Sequence, residues 1–135
     1  EMCIRDRAKE NFKTLGLEDQ ISLMEGEAAD LLPQLEGPYD LIFMDSSKAK
    51  YIEFLPECMR LLNQGGLLLI DDVFQGGTVL ADEAEIPRRV RTIHRRLNEL
   101  LDTVLPAKNH RSCLLPLGDG VLMIRKESDC PDFIK

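Results

Sequence analysis

Two runs of apolar residues dominate the hydrophobic and polar pattern of the chain. Residues 39–45 (YDLIFMD) and 67–70 (LLLI) each have a continuous apolar centre without alternating polar positions. This pattern is typical of parallel strands that are covered on both faces of a sheet. A shorter apolar segment, Ile21 to Met24, predicts another strand. The Gly65-Gly66 pair predicts a break in the chain before the 67–70 strand.

Segments with helical periodicity alternate with these strands. Residues 48–62 and 86–104 carry apolar side chains every three or four positions, which predicts two amphipathic helices. Residues 8–15 are typical of the end of a helix, and Gly16 is expected to stop it because glycine readily takes the left-handed conformation. Gly26 to Leu32 has the pattern of a turn that leads into a short helix.

The last elements form a hairpin pattern. Residues 111–116 and 121–126 predict two strands, joined by the turn Leu117-Gly118-Asp119-Gly120. The order of helices and strands predicts an α/β fold, with a mostly parallel sheet that a closing antiparallel hairpin completes.

Composition narrows the class of protein. The chain has 135 residues, of which 44% are hydrophobic and 30% charged, as expected for one globular domain. No apolar run approaches the roughly 20 residues of a membrane span, and no signal peptide is indicated, so we expect a cytoplasmic protein without membrane contact. Widely spaced cysteines favour reduced thiols over zinc or disulfides: Cys3, Cys58, Cys113 and Cys130.

The net charge of -7 is unevenly distributed. Residues 1–87 hold 18 acidic and 7 basic side chains (-11), whereas residues 88–135 hold 6 and 10 (+4). The acidic part suits cation binding, and the arginine-rich part leaves room for a polyanionic partner.

Carboxylates follow both apolar strands. Asp45 ends the first strand and Asp71-Asp72 follow the second, at the carboxyl ends where open α/β sheets bind ligands. If the strands are neighbours, three carboxylates converge, and a hard cation such as Mg²⁺ would relieve their repulsion. Lys48, three residues after Asp45, could act there as a base or a charge partner, or could simply be a solvated surface lysine. The residues alone also allow Asp45 and Asp72 to be simple caps of a helix or a turn.

The chain resembles the cation-dependent O-methyltransferases, a family that includes catechol and caffeoyl-coenzyme A O-methyltransferases and small bacterial relatives. The resemblance covers residues 8–127. Four segments carry it in the family's order and spacing: AKENFKTLGLEDQISLMEGEA, PYDLIFMDSSKAKYIEFL, LLNQGGLLLIDDV and LPLGDGVLMIRK.

The resemblance implies S-adenosylmethionine as methyl donor, a divalent cation, and a role for each matching residue. Asp45, Asp71 and Asp72 match the metal ligands, although the family usually has Asp-Asn at the last two positions. Lys48 matches the lysine that helps Asp45 and the metal to activate the acceptor hydroxyl. The cofactor is expected to contact Asp45 and the turn Gly26-Glu27-Ala28, which lies against adenine.

The resemblance also implies that part of the family fold is missing. The family's sheet order is 3-2-1-4-5-7-6, and this chain would supply strands 3 to 7 without the first two. The first βαβ unit and its glycine-rich turn are therefore expected upstream, and the chain by itself is expected to be poorly folded or inactive. Residues 1–7 are expected to be a non-native start, and residues 128–135 a tail.

Two acceptors and one unrelated function are compatible with the residues. The acceptor is either a small phenolic or catechol-like hydroxyl or a 5-hydroxyuridine of transfer RNA. A phospho-receiver signalling domain also clusters acidic residues and lysine around Mg²⁺, but the order of Asp45 and Asp71-Asp72 opposes it. Basic residues of the 86–104 helix would contact RNA phosphates: Arg88, Arg89, Arg91, His94, Arg95 and Arg96. The alternative is that this face is a solvated surface or the contact of a homodimer in the full-length protein.

Overall fold

The computed structural model describes residues 3–128, in two compact units that divide between residues 31 and 32. The first unit contains helices α1 (Ile4–Thr14) and α2 (Ala28–Leu31). Strands β1 (Tyr39–Met44), β2 (Leu62–Ile70), β3 (His110–Leu115) and β4 (Val121–Lys126) belong to the second unit, together with helices α3 (Tyr51–Leu61) and α4 (Arg91–Val104). Cys130 and the tail after Ser128 lie outside the described residues.

The first unit confirms the predicted helix stop but not the predicted strand. Gly16 follows α1 with a φ of +68°, the left-handed conformation that ends helices. Residues 21–24 form no strand in the described structure. A strand exists only where its backbone groups pair with a neighbour, and the strand pairings of the described residues all lie in the second unit.

One four-stranded sheet forms the centre of the second unit, with the strand order β1-β2-β4-β3. β1 is parallel to β2, whereas β4 is antiparallel to both β2 and β3. Three strands therefore point the same way, and the fourth is reversed. This confirms the predicted α/β fold with its closing hairpin, and the order agrees with strands 4-5-7-6 of the expected family sheet.

Gly65 and Gly66 lie inside β2, and the strand continues through them. The register between β1 and β2 shifts next to Tyr39, so β2 bulges there. Gly65 has a φ of +80°, and a Cβ on Gly66 would lie only 2.9 Å from the carbonyl oxygen of Asn63. The predicted break was wrong because the two glycines permit a bulge within a continuous strand.

Helices α3 and α4 share a hydrophobic core with one face of the sheet. On that face Leu68 pairs with Ile124 and Ile70 with Leu122, and the four side chains are fully buried. This confirms the amphipathic character predicted for both helices. Their contributions to the same apolar cluster include Tyr51, Leu55, Met59, Leu97, Leu100 and Val104.

The other face of the sheet leaves apolar side chains exposed. Leu41 and Phe43 of β1 are 57% and 58% exposed, and Leu69 of β2 is only half-buried. The expectation that the 39–45 and 67–70 strands would be covered on both faces was therefore wrong within the described structure. β1 also stands at one end of the strand order, so its outer edge pairs with no other described strand.

We expect this edge to cause self-association. An unpaired strand edge with exposed apolar side chains is a template for pairing with a second chain. The double variant Leu41→Thr with Phe43→Thr should have a lower weight-average mass in sedimentation velocity than the parent chain. Its free energy of unfolding should stay within about 0.5 kcal/mol of the parent value. Ile42→Thr is the matched control, because Ile42 packs against the core on the opposite face. It should cost about 1–2 kcal/mol and leave association unchanged; equal association of all variants would contradict the prediction.

Helix α4 begins five residues later than the predicted start at Ile86. Ile86 has φ and ψ of -81° and 129°, an extended conformation, because the residue that precedes a proline is disfavoured in a helix. A short 3₁₀ turn, Arg88–Val90, then leads into α4. The helix predicted at 48–62 is likewise split into a 3₁₀ turn at Lys48–Lys50 and α3.

Among the described residues, no helix combines the length and the apolar content needed to cross a bilayer.

The thiol of Cys58 in α3 should make stability depend on pH in the alkaline range. Cys58 is buried, and burial raises the pKa of its thiol from 9.0 to about 11. Above pH 9 the unfolded chain loses this proton while the folded chain keeps it, so stability present below pH 9 is lost as the pH rises towards 11. Between pH 7.5 and 10.5 urea unfolding should show a loss about 2 kcal/mol larger for the parent chain than for Cys58→Ala. Parallel curves for the two proteins would contradict this.

Candidate functional site

The carboxylates predicted from the strand ends do lie next to each other. β1 and β2 are parallel neighbours, with Met44 opposite Ile70, so Asp45 and Asp71 leave the sheet at the same level. The backbone N–H of Asp71 donates to the carbonyl oxygen of Met44 at 3.0 Å, which holds the two strand ends together. Asp45, Asp71 and Asp72 each offer one oxygen, and these oxygens all lie within 4.8 Å of one another.

Asp72 completes this carboxylate cluster through an unusual backbone conformation. Its φ is +55°, a left-handed value that most side chains disfavour but that Asp and Asn tolerate. The backbone N–H of Asp72 donates to Oδ1 of Asp71 at 2.8 Å. The chain therefore turns sharply after β2, and both neighbouring carboxylates contribute to the same cluster.

Lys48 adds a positive charge beside the cluster. Its Nζ lies 3.1 Å from Oδ2 of Asp72, and the two side chains are 22% and 41% exposed. An ion pair this accessible to water adds little to stability. Its effect is on local charge: Lys48 offsets one of the three negative charges, and a divalent cation would neutralise the other two.

Tyr51 lies under the site, although sequence reasoning treated it only as an apolar position of a helix. Its side chain is fully buried, and the hydroxyl has no hydrogen-bond partner of good geometry among the described residues. Burial raises the pKa of the phenol; the nearby backbone N–H of Ser46 opposes this rise, whereas the charges of the cluster add to it. The only feature of the sequence that could have placed Tyr51 near the site is its position one helical turn after Lys48.

The donor set fits a hard divalent cation. All three side chains offer carboxylate oxygens, the ligands that Mg²⁺ takes in proteins, and none offers sulfur or imidazole. One of the three side chains is exposed and two are half-buried, so one side of the cluster faces water. Water or a substrate oxygen can therefore reach a cation held there.

The turn expected to hold the cofactor belongs to the first unit. Gly26 has a φ of +153°, and a Cβ there would lie 3.4 Å from the Leu31 side chain. The carbonyl oxygen of Glu27 accepts hydrogen bonds from the backbone N–H groups of Asp30 and Leu31, so α2 starts directly at Ala28. The predicted turn into a short helix is confirmed, and its first-turn N–H groups have no partners within the helix.

Neighbouring contacts hold the segment before this turn against α1. Glu25 accepts from Lys9 and from Arg5, the latter at 3.2 Å. The hydrogen bond and charge of Lys9, with the charge of Arg5, lower the pKa of the Glu25 carboxyl. These groups are exposed, so the contacts orient the segment without adding much stability.

The basic face of α4 is less open than the sequence indicated. His94 was expected there, but it is buried, and its Nε2 lies 3.0 Å from the carbonyl oxygen of Ala81. Arg96 forms ion pairs with Glu53 and Glu99 at 3.5 and 3.0 Å. Part of the predicted basic face is therefore engaged in contacts within the protein, whereas Arg88, Arg89 and Arg95 are exposed.

The strand order and the carboxylates at the strand ends place the chain in the class of Rossmann-like α/β proteins. The profile of the O-methyltransferase family matches residues 4–127. A catechol O-methyltransferase from Niastella koreensis is 37% identical over 84 residues, covering 59% of this chain and 38% of that protein. Caffeoyl-CoA O-methyltransferase 2 from Eucalyptus globulus is 32% identical over 137 residues, covering 91% and 56%.

A solved structure agrees with these matches. The SAH-bound methyltransferase PaMTH1 from Podospora anserina superimposes with a TM-score of 0.76 at 30% identity, covering 95% of this chain and 59% of that one. The chain therefore belongs to the O-methyltransferase family. It spans about half the length of these relatives, and the match begins at residue 4, within the segment that the sequence resemblance left out.

Proposed function

We propose that this chain carries the metal-binding and acceptor-activating residues of an enzyme that transfers a methyl group from S-adenosylmethionine to a hydroxyl. The observation that carries the proposal is the convergence of Asp45, Asp71 and Asp72 within 4.8 Å, beside Lys48, in a member of the O-methyltransferase family. The cation is Mg²⁺ or another hard divalent ion, because the ligands are all carboxylate oxygens.

Each residue has a distinct role in this proposal. A bound divalent cation lowers the pKa of a coordinated hydroxyl, and S-adenosylmethionine supplies an electrophilic methyl group. Lys48, whose Nζ lies 3.1 Å from Oδ2 of Asp72, assists removal of the hydroxyl proton. Asp45, the exposed member, faces the water side from which the acceptor enters. Asp72 tolerates the left-handed backbone that a ligand at this corner requires.

The cofactor is proposed to use the turn at the start of α2. Gly26, Glu27 and Ala28 form this turn, and the backbone N–H of Ala28 is in the first helical turn, where it has no partner within the helix. Such a group can donate to a ring nitrogen of adenine. Asp45 is proposed to face both the cofactor and the cation.

A small acceptor with adjacent hydroxyls is the favoured substrate. Two relatives are named for catechol and for caffeoyl-CoA, and two adjacent hydroxyl oxygens would chelate a cation bound by the three carboxylates. Transfer RNA is the second candidate, supported by exposed Arg88 and Arg89 before α4. It is less favoured because His94 is buried and Arg96 is already paired with two glutamates.

Titration of Mn²⁺ into the chain, followed by electron paramagnetic resonance, tests the metal site. We expect one saturable class of sites from which Mg²⁺ displaces Mn²⁺. Calorimetric titration into the Mn²⁺-loaded chain then tests the acceptor: catechol should bind, whereas resorcinol, whose hydroxyls are too far apart to chelate, should not. Equal binding of both phenols would contradict chelation. Tight binding of transfer RNA that Arg88→Glu with Arg89→Glu abolishes would favour the RNA acceptor.

A further inference from the structure

The turn between β3 and β4 contacts the loop that carries Asp72. β4 is antiparallel to β2, and Ile70 at the end of β2 pairs with Leu122 near the start of β4. Residues that immediately precede β4 therefore lie beside residues that immediately follow β2. The turn consists of residues 117–120, and it is called the β3–β4 turn below.

Three hydrogen bonds join the turn to this loop. The backbone N–H of Val73 donates to the carbonyl oxygen of Gly120 at 3.1 Å, and that of Phe74 to the carbonyl oxygen of Asp119 at 2.9 Å. The backbone N–H of Gly76 donates to the side-chain Oδ1 of Asp119 at 2.7 Å. Asp119 thus holds the loop through both its backbone and its side chain.

The loop needs such support because two of its residues have a strained backbone conformation. Asp72 and Gln75 have φ values of +55° and +48°, and each left-handed non-glycine residue costs about 1–2 kcal/mol in general, less for Asp. A strained conformation persists only where surrounding contacts hold it. The hydrogen bonds to Asp119 and Gly120 come from Val73 and Phe74, between the two strained residues, and from Gly76, just after them.

We propose that the β3–β4 turn positions the Asp72 carboxylate within the carboxylate cluster, with Asp119 as the positioning residue. The inference rests on the proposed function only because the loop carries a proposed metal ligand. Asp119 does not belong to the cluster itself. Its side chain accepts from the Gly76 N–H and so fixes the end of the loop. Together with the two backbone hydrogen bonds, this contact holds the left-handed turn at Asp72.

The test compares two substitutions that remove the same charge. Asp119→Asn keeps a side-chain oxygen that can accept from Gly76, whereas Asp119→Ala removes the acceptor. Mn²⁺ affinity is measured by electron paramagnetic resonance, and exchange of the Val73, Phe74 and Gly76 amide protons by NMR in the metal-free chain. Asp102→Ala, which removes an exposed carboxylate from α4, controls for net charge. Far-ultraviolet circular dichroism checks that each variant is folded.

We expect Asp119→Ala to weaken Mn²⁺ binding about tenfold, as loss of groups that orient metal ligands generally does. The same variant should speed exchange of the three amide protons. Asp119→Asn should stay within about twofold of the parent chain in both measurements, and so should Asp102→Ala. Equal effects of Asp119→Ala and Asp119→Asn, or none from either, would overturn the inference.

The exchange measurement separates this inference from the proposed function. If the parent chain binds no Mn²⁺, the proposed metal site fails, while faster exchange in Asp119→Ala alone would still support the hold of the turn on the loop. If Mn²⁺ binds and Asp119→Ala changes neither affinity nor exchange, the metal site stands and the positioning role is overturned.

Discussion

Replacing Asp45 with asparagine should remove the response of the protein to divalent cations. Loss of groups that merely orient a ligand generally weakens metal binding by about 10- to 100-fold, so loss of a ligand charge should cost about 100-fold or more. At a Mn²⁺ concentration about 100 times the parent dissociation constant, binding adds about 2.7 kcal/mol to the free energy of unfolding. The variant should gain only about 0.4 kcal/mol at the same concentration.

Without metal, Asp45→Asn should raise the free energy of unfolding instead of lowering it. Asp45 lies close to two other carboxylates, so removing its charge relieves repulsion and should make the metal-free variant slightly more stable than the parent chain. Asp102→Asn, at an exposed carboxylate of α4, is the control and should leave the metal response intact. Urea unfolding with and without Mn²⁺ provides the measurement. A parent chain and Asp45→Asn variant stabilised equally by Mn²⁺ would refute a metal ligand at this position.

Replacing Gly120 with alanine should be among the most destabilising single-methyl changes in the chain. Gly120 has a φ of +83°, and a Cβ there would lie 2.5–2.7 Å from three ring carbons of Phe74. The left-handed backbone costs about 1–2 kcal/mol for alanine, and displacing a packed ring adds about 1–3 kcal/mol. We therefore expect the free energy of unfolding to fall by about 2–5 kcal/mol in urea denaturation.

Gly118 in the same turn provides a matched control. Its φ is +55°, but a Cβ there would meet no atom within 4 Å. Gly118→Ala should therefore show only the backbone effect, about 1–2 kcal/mol. Removing the obstructing ring with Phe74→Ala should make Gly120→Ala less harmful in a double-mutant cycle. Equal losses for the two glycine variants would show that contact with Phe74 does not matter.

Local pattern predicted most of the second unit correctly. The apolar runs at 39–45 and 67–70, the helical periodicities and the 117–120 turn all correspond to observed elements within a few residues. These features depend on residues close together in the chain, where periodicity and turn chemistry act directly. The carboxylate cluster was also predicted, because parallel neighbouring strands end at the same edge of a sheet.

Errors came where distant residues decide the outcome. Residues 21–24 have strand composition but no described partner, and the exposed face of Leu41 and Phe43 depends on what covers the sheet. His94 occupies a helical position between arginines, yet its side chain is buried, with Nε2 next to the carbonyl oxygen of Ala81 from the segment before α4. Neither pairing, burial nor a long-range hydrogen bond can be derived from the spacing of residues along the chain.

The chemistry of the site follows from the order of amino acids alone: which side chains are carboxylates, which strands they follow, and that Lys48 comes three positions after Asp45. How these groups meet depends on the fold. It places Asp72 in a left-handed conformation, brings Lys48 within 3.1 Å of it, and sets the β3–β4 turn against its loop. Such arrangements depend on contacts between residues more than 20 positions apart, whose geometry only the folded chain establishes.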